Sequence, residues 1–129
     1  MKIKKLIPLI LSTLLFTGCA AGYTHKNGYR QVSMDEAVAI MEKEKGYIIL
    51  DVRRPDEFAA GHIPNAINIP NEVIAATAIP DLPNKDQLIL VYCRSGRRSK
   101  EAAEKLAALG YTGIVEFGGI LDWQGEIVK

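Results

Sequence analysis

Cys93-Arg94-Ser95-Gly96-Arg97-Arg98-Ser99 is the stretch of this sequence whose residue types can do chemistry. A cysteine followed within five residues by three arginines and a glycine places a sulfur nucleophile inside a ring of positive charge. Such a ring favours thiolate over thiol and draws an anionic substrate towards it. A small buried hydrophobe at the end of a core strand, the commonest role of a free cysteine, has no use for three arginines. Cys93 is therefore read as the catalytic nucleophile, and Arg94, Ser95, Gly96, Arg97, Arg98 and Ser99 as the residues that bind the substrate.

The flanking segments supply the means of positioning it. Leu88-Ile89-Leu90-Val91-Tyr92 is an aliphatic and β-branched run that predicts a buried strand, and Lys100 to Leu109 predicts a helix with Ala102, Ala103, Leu106 and Leu109 on one face. At a strand-to-helix turn the loop amides and the helix N-terminus point inward around the sulfur. Gly110 is placed for a left-handed cap.

The same alternation runs through the rest of the chain. Ser33-Met34-Asp35-Glu36 is a capping box, followed by Met34, Ala37, Val38 and Met41 on one helical face, with Gly46 ending the helix. Tyr47 to Val52 is apolar on both faces and predicts a buried parallel strand, ending at Asp51 in position to hold a loop arginine. Pro55-Asp56-Glu57 predicts a short helix start, with Arg53 and Glu57 placed to pair. His62 lies in turn chemistry and reads as a structural histidine; Ile67-Asn68-Ile69 predicts a short strand, and Asn71 a helix cap with a helix through Ala78. Ile114 to Phe117 predicts a last core strand, and Ile120 to Trp123 a terminal helix whose Trp123 packs into the body. Lys100, Glu101, Glu104 and Lys105 read as a solvated helix face. The whole is an α/β domain, a central and mostly parallel sheet flanked by helices. In such sheets the site lies beyond the carboxyl ends of the strands, where Cys93 falls.

Composition narrows the function classes. The chain has 129 residues, 48% hydrophobic and 24% charged, enough for one domain with its own core. The net charge of +1 becomes −2 once Lys2, Lys4 and Lys5 are set aside, so no basic face remains for nucleic acid.

The first residues are a targeting signal. Lys2, Lys4 and Lys5 form a basic start, Leu6 to Phe16 an apolar run too short to span a bilayer, and Phe16-Thr17-Gly18-Cys19 a processing site ending on cysteine. The pattern resembles a bacterial lipoprotein signal, although Phe16 stands where leucine is preferred. The resemblance implies removal of residues 1–18 and lipid on Cys19, with residues 19–28 as a tether. The protein would then be held to a membrane outside the cytoplasm. The alternative is a cleaved secretory signal with an incidental Cys19. Cys19 and Cys93 are the only cysteines, so a lipidated Cys19 leaves no internal disulfide and no resolving thiol. His25 and His62 cannot complete a zinc site, and no metal or cofactor is expected.

Three motifs in order carry a resemblance over residues 29–129. Asp51-Val52-Arg53 through Glu57-Phe58, with Gly61-His62-Ile63-Pro64-Asn65-Ala66 and Asn68-Ile69-Pro70, resembles the first signature of the rhodanese family. Cys93 to Ser99 resembles its active loop, and Gly118-Gly119-Ile120-Leu121-Asp122-Trp123 its closing motif. The resemblance implies a sulfurtransferase: a donor anion such as thiosulfate passes a sulfane sulfur to Cys93, and a thiol or cyanide removes it. It implies that the loop amides from Arg94 to Ser99 hold the persulfide and that Arg98 closes the loop.

Two other functions stay open. Dual-specificity phosphatases and arsenate reductases use a related loop with five residues between cysteine and arginine; Cys93 and Arg98 have four between them, a ring better sized for one sulfur atom than for a tetrahedral oxyanion. The other is a non-catalytic binding or redox-sensing module, in which Cys93 would be an exposed reactive thiol that senses oxidants.

Overall fold

The computed structural model describes residues 27–75 and 79–129. The expected signal, Cys19 and most of the tether lie outside the described residues, as do positions 76–78 of the helix expected after Asn71.

Five strands form one parallel sheet: β1 (Arg30–Gln31), β2 (Ile48–Asp51), β3 (Ile67–Asn68), β4 (Leu88–Cys93) and β5 (Gly113–Gly119). Their order is β1-β5-β4-β2-β3, which puts the cysteine strand at the centre. Three helices make crossovers: α1 (Met34–Lys43), α2 (Pro55–Ala60) and α3 (Arg97–Ala108). Parallel neighbours need such crossovers, and the helices cover both faces of the sheet.

Alternation along β4 divides the core. Ile89, Val91 and Cys93 face α3 and pack with Leu50, Val52, Ala102, Ala103 and Leu106. Leu90 and Tyr92 face the other way, into Ala37, Ile49, Ile63, Val115 and Phe117. Each fully buried aliphatic or aromatic side chain contributes roughly 1.5–3 kcal/mol relative to exposure. Cys93 is thus fixed to the α3 side by strand register, since a one-residue slip would send it to the opposite face.

Local signals behave as their chemistry demands. The Ser33 hydroxyl accepts from the Glu36 amide at 3.1 Å and the Glu36 carboxylate accepts from the Ser33 amide at 2.9 Å, completing the expected capping box. His62 bonds the Phe58 carbonyl through Nδ1 at 2.9 Å and stacks on the Phe58 ring, a structural role. Trp123 is partly buried against the second cluster and donates to the Glu126 carbonyl.

Elsewhere tertiary structure overrides the sequence pattern. Asn71 opens only a 3-10 turn, Asn71–Val73, rather than a capped α-helix. Its side chain is held by α3 instead: Nδ2 donates to Glu101 and Oδ1 accepts from Lys105. Glu101 and Lys105 are therefore partly used to pin this segment and are not simply a solvated face. The terminal helix is likewise a single 3-10 turn, Ile120–Asp122. Arg53 turns to Asp51 rather than Glu57, with contacts of 2.7–3.0 Å.

Candidate active site

The floor of the site is built by β4 and β5. Val91 is paired with Glu116 but Cys93 with Gly119, so β5 carries one extra residue at this point. The bulge bends the strand and brings its Gly118-Gly119 end under the cysteine loop. A side chain at Gly119 would collide with the Arg94 carbonyl, so only glycine lets the two backbones approach. The Leu121 amide then ties to that carbonyl at 3.2 Å.

Gly96 caps the N-terminus of α3 with φ +121, a conformation open to glycine. That turn aims its amide at the sulfur, with Gly96 N donating to Cys93 Sγ at 3.0 Å. The Ser99 hydroxyl lies 3.5 Å from Sγ on the other side. Cys93 is 1% exposed and Ser99 fully buried, so the thiol sits at the bottom of the loop rather than on the surface.

Above the loop is an open cleft of about 420 Å³ lined by Arg54, Glu72, Arg94, Ser95, Arg97 and Arg98. A larger groove, about 840 Å³, lies between α1 and residues 121–125 and has no thiol and no arginine or lysine along it. The smaller cleft is the one with the chemistry.

Its arginines are not equivalent. Arg94 is exposed and makes no ion pair among the described residues. Arg97 pairs with Glu101 one turn along α3, at 3.0 Å. Arg98 spends its guanidinium on Glu57 of α2, with Nη1 to Oε1 at 2.7 Å and Nη2 to Oε2 at 3.1 Å. Hydrogen bonding from Arg98 pulls the Glu57 carboxyl down to about 2, outweighing its burial, and the same bonds raise the Arg98 pKa. Arg98 therefore lines the cleft with its fork on Glu57; Arg54 is paired as well, with Asp56 at 3.0 Å and Glu57 at 3.5 Å, so Arg94 is the cleft arginine without an ion pair among the described residues.

On the opposite sheet face, Asp51 is fully buried and takes Arg53 and the Tyr92 hydroxyl, the latter at 2.6 Å. Burial and then the Asp51 hydrogen bond push the Tyr92 phenol upward, so it stays a neutral donor. Burial opposes the Arg53 charge, but the Asp51 hydrogen bonds and charge overcome it. The group locks the loops after β2 to the cysteine strand; it does not reach the sulfur's side.

Sequence reasoning did not single out Glu116, Arg54 or Glu57 as part of the site. Glu116 did carry a signal, a charged residue inside the apolar run Ile114-Val115-Glu116-Phe117 immediately before two glycines.

The rhodanese-like domain model matches residues 33–126, and the chain belongs to the rhodanese-like domain family of sulfurtransferases. The thiosulfate sulfurtransferase PspE of Escherichia coli is 37% identical over 73 residues, 57% of this chain and 70% of PspE. The domain also recurs inside longer proteins: this chain spans 24% of the Candida albicans adenylyltransferase and sulfurtransferase UBA4, at 33% identity over 104 residues, 75% of this chain. Among solved structures, a rhodanese with anions from E. coli superposes with a TM-score of 0.59 at 36% identity, covering 64% of this chain and 98% of that one. A rhodanese-related protein from Thermoplasma volcanium gives 0.63 at 34% identity, with 78% and 98% covered.

Proposed function

We propose that Cys93 carries a sulfane sulfur from thiosulfate or a small persulfide to a thiophilic acceptor, a thiol or cyanide. In the first step the thiolate attacks the outer sulfur of thiosulfate; a new S–S bond forms, and the old one breaks with its electron pair leaving on sulfite. In the second, the acceptor attacks the terminal sulfur of the Cys93 persulfide and restores the thiolate. Two half-reactions through one covalent intermediate give ping-pong kinetics.

The observation that carries this reading is the pairing of Arg98 with Glu57 around a loop whose Gly96 amide reaches the sulfur. A phosphatase loop needs its arginine fork aimed at the oxyanion. Here the fork is held by Glu57, and the donor that reaches the thiol is the Gly96 backbone amide, an arrangement suited to one sulfur atom. The buried thiol also fits a sheltered persulfide better than an oxidant sensor, which needs exposure. The name of PspE supports thiosulfate as donor. We further place the protein outside the cytoplasm, anchored through lipid on Cys19, on the strength of the Phe16-Thr17-Gly18-Cys19 box.

The test is a comparison of turnovers on one preparation of reduced protein. Sulfur transfer from thiosulfate to cyanide should far exceed hydrolysis of aryl phosphates. Faster phosphate hydrolysis would overturn the assignment. Reversible oxidation of Cys93 by peroxide without any sulfur transfer would favour the sensor.

A further inference from the structure

Glu116 is a carboxylate at a place where the sheet should be apolar. It is fully buried, opposite Val91 on β5, on the same sheet face as Cys93. Its Oε2 accepts from the Ser99 hydroxyl at 2.5 Å and from the Gly118 amide at 2.9 Å, while Oε1 has no hydrogen-bond partner among the described residues. Ser99 in turn lies 3.5 Å from Cys93 Sγ. Thiol, hydroxyl and carboxylate thus form a continuous line beneath the N-terminus of α3, with none of the three open to solvent.

From this line we infer that Glu116 is a positioning residue that takes up the Cys93 proton through Ser99, so that thiol and carboxyl share one proton and one negative charge. The proposal rests on the sulfur-transfer reading and adds the origin of the reactive thiolate. A buried carboxylate with an orphaned oxygen is costly, and a second anion beside it more so. Moving one proton along the line avoids both: the Cys93 S–H proton passes to Ser99 Oγ as the Ser99 O–H proton passes to Glu116 Oε2. The pocket begins as thiol and carboxylate and ends as thiolate and carboxylic acid, with Ser99 unchanged and the net charge constant. The thiolate then meets the Gly96 amide and the positive end of α3, which stabilise charge at the sulfur. Tyr29, buried with its phenol pushed up by burial and then by the charges of Glu116 and Glu104, remains protonated and does not compete for the proton.

The two half-reactions separate this role from a structural one. Loading starts from the thiol and requires its proton to leave; unloading starts from the persulfide anion and does not. Glu116→Gln keeps size and hydrogen bonding but cannot accept a proton. In single turnovers with thiosulfate it should slow loading about a hundredfold, the ordinary size of a proton-transfer contribution, and leave cyanide unloading of preformed persulfide unchanged. Ser99→Ala should slow loading similarly, and the double variant no further, because the two act as one unit. The persulfide-minus-thiol infrared difference spectrum should carry a protonated-carboxyl band that Glu116→Gln removes. Wild-type loading in Glu116→Gln, equal loss of both half-reactions, or no carboxyl band in the wild type would overturn the proposal. Should the wild type take no sulfur from thiosulfate or a small persulfide, the sulfur-transfer reading fails on its own. The relay is then decided by Cys93 alkylation with iodoacetamide, which needs the same proton removed: slowed in Glu116→Gln if the relay holds, unchanged if it does not.

Discussion

Glu57 on α2 holds Arg98 on α3 by two parallel hydrogen bonds of 2.7 and 3.1 Å, joining residues 41 positions apart. The pair fixes the second residue of α3 against α2, next to the turn whose Gly96 amide reaches Cys93. Arg98 is thereby held in the wall of the cleft with its fork on Glu57.

The two residues should therefore behave as one. Arg98→Ala and Glu57→Ala should each lower kcat/KM for thiosulfate by about tenfold while leaving the fold intact, and the double variant should lose little more, with a coupling of about 1–2 kcal/mol. A double-mutant cycle on kcat/KM checks this. Additive losses would mean that Arg98 serves the anion independently of Glu57.

The pair also sets an acid limb of stability. Glu57 titrates near 2 in the folded protein against an ordinary 4.5, so its contribution is complete above pH 4.5 and disappears as the pH falls from 4.5 towards 2. Urea midpoints measured across this range should fall more steeply with acid for the wild type than for Glu57→Gln. Parallel curves would remove Glu57 from the account.

Much of this was legible in the sequence because the signals are local. The capping box at Ser33, the apolar run into Cys93 and the alanine-rich face of α3 depend on neighbours within a turn or a strand, and each forms as its pattern dictates. Long-range polar partners were not legible. Ser99 meets Glu116 across 17 residues, and Tyr92 meets Asp51 across 41, because the order β1-β5-β4-β2-β3 and its bulge bring them together. Nothing in the spacing of Arg53, Asp51, Glu57 and Arg98 tells which cation takes which anion. Asn71 failed as an α-helix cap because Glu101 and Lys105 of α3 claim its side chain.

Close backbone approach at Gly119 makes a third prediction. Gly119→Ala drives a methyl into the Arg94 carbonyl and the Ser95 amide, so the loop must move. A destabilisation of about 1–3 kcal/mol is expected from such overpacking, together with loss of sulfur loading. Thermal unfolding and single-turnover loading measure the two effects, and loading at the wild-type rate would contradict the proposed loop geometry.

The proposed anchor rests on the Phe16-Thr17-Gly18-Cys19 box. Native protein should fractionate with membranes and begin at a lipid-modified Cys19, and Cys19→Ser should be released or left unprocessed. Native protein free in the medium with an unmodified N-terminus would contradict it.

The central claim is that Cys93 becomes a persulfide, and intact-protein mass tests it most directly. Reduced protein mixed with thiosulfate should gain the mass of one sulfur atom, cyanide should remove it as thiocyanate, and Cys93→Ser should do neither, because a serine hydroxyl is not ionised near neutral pH. A wild-type protein that never gains sulfur from thiosulfate or any small persulfide, or turnover that survives Cys93→Ser, would contradict it.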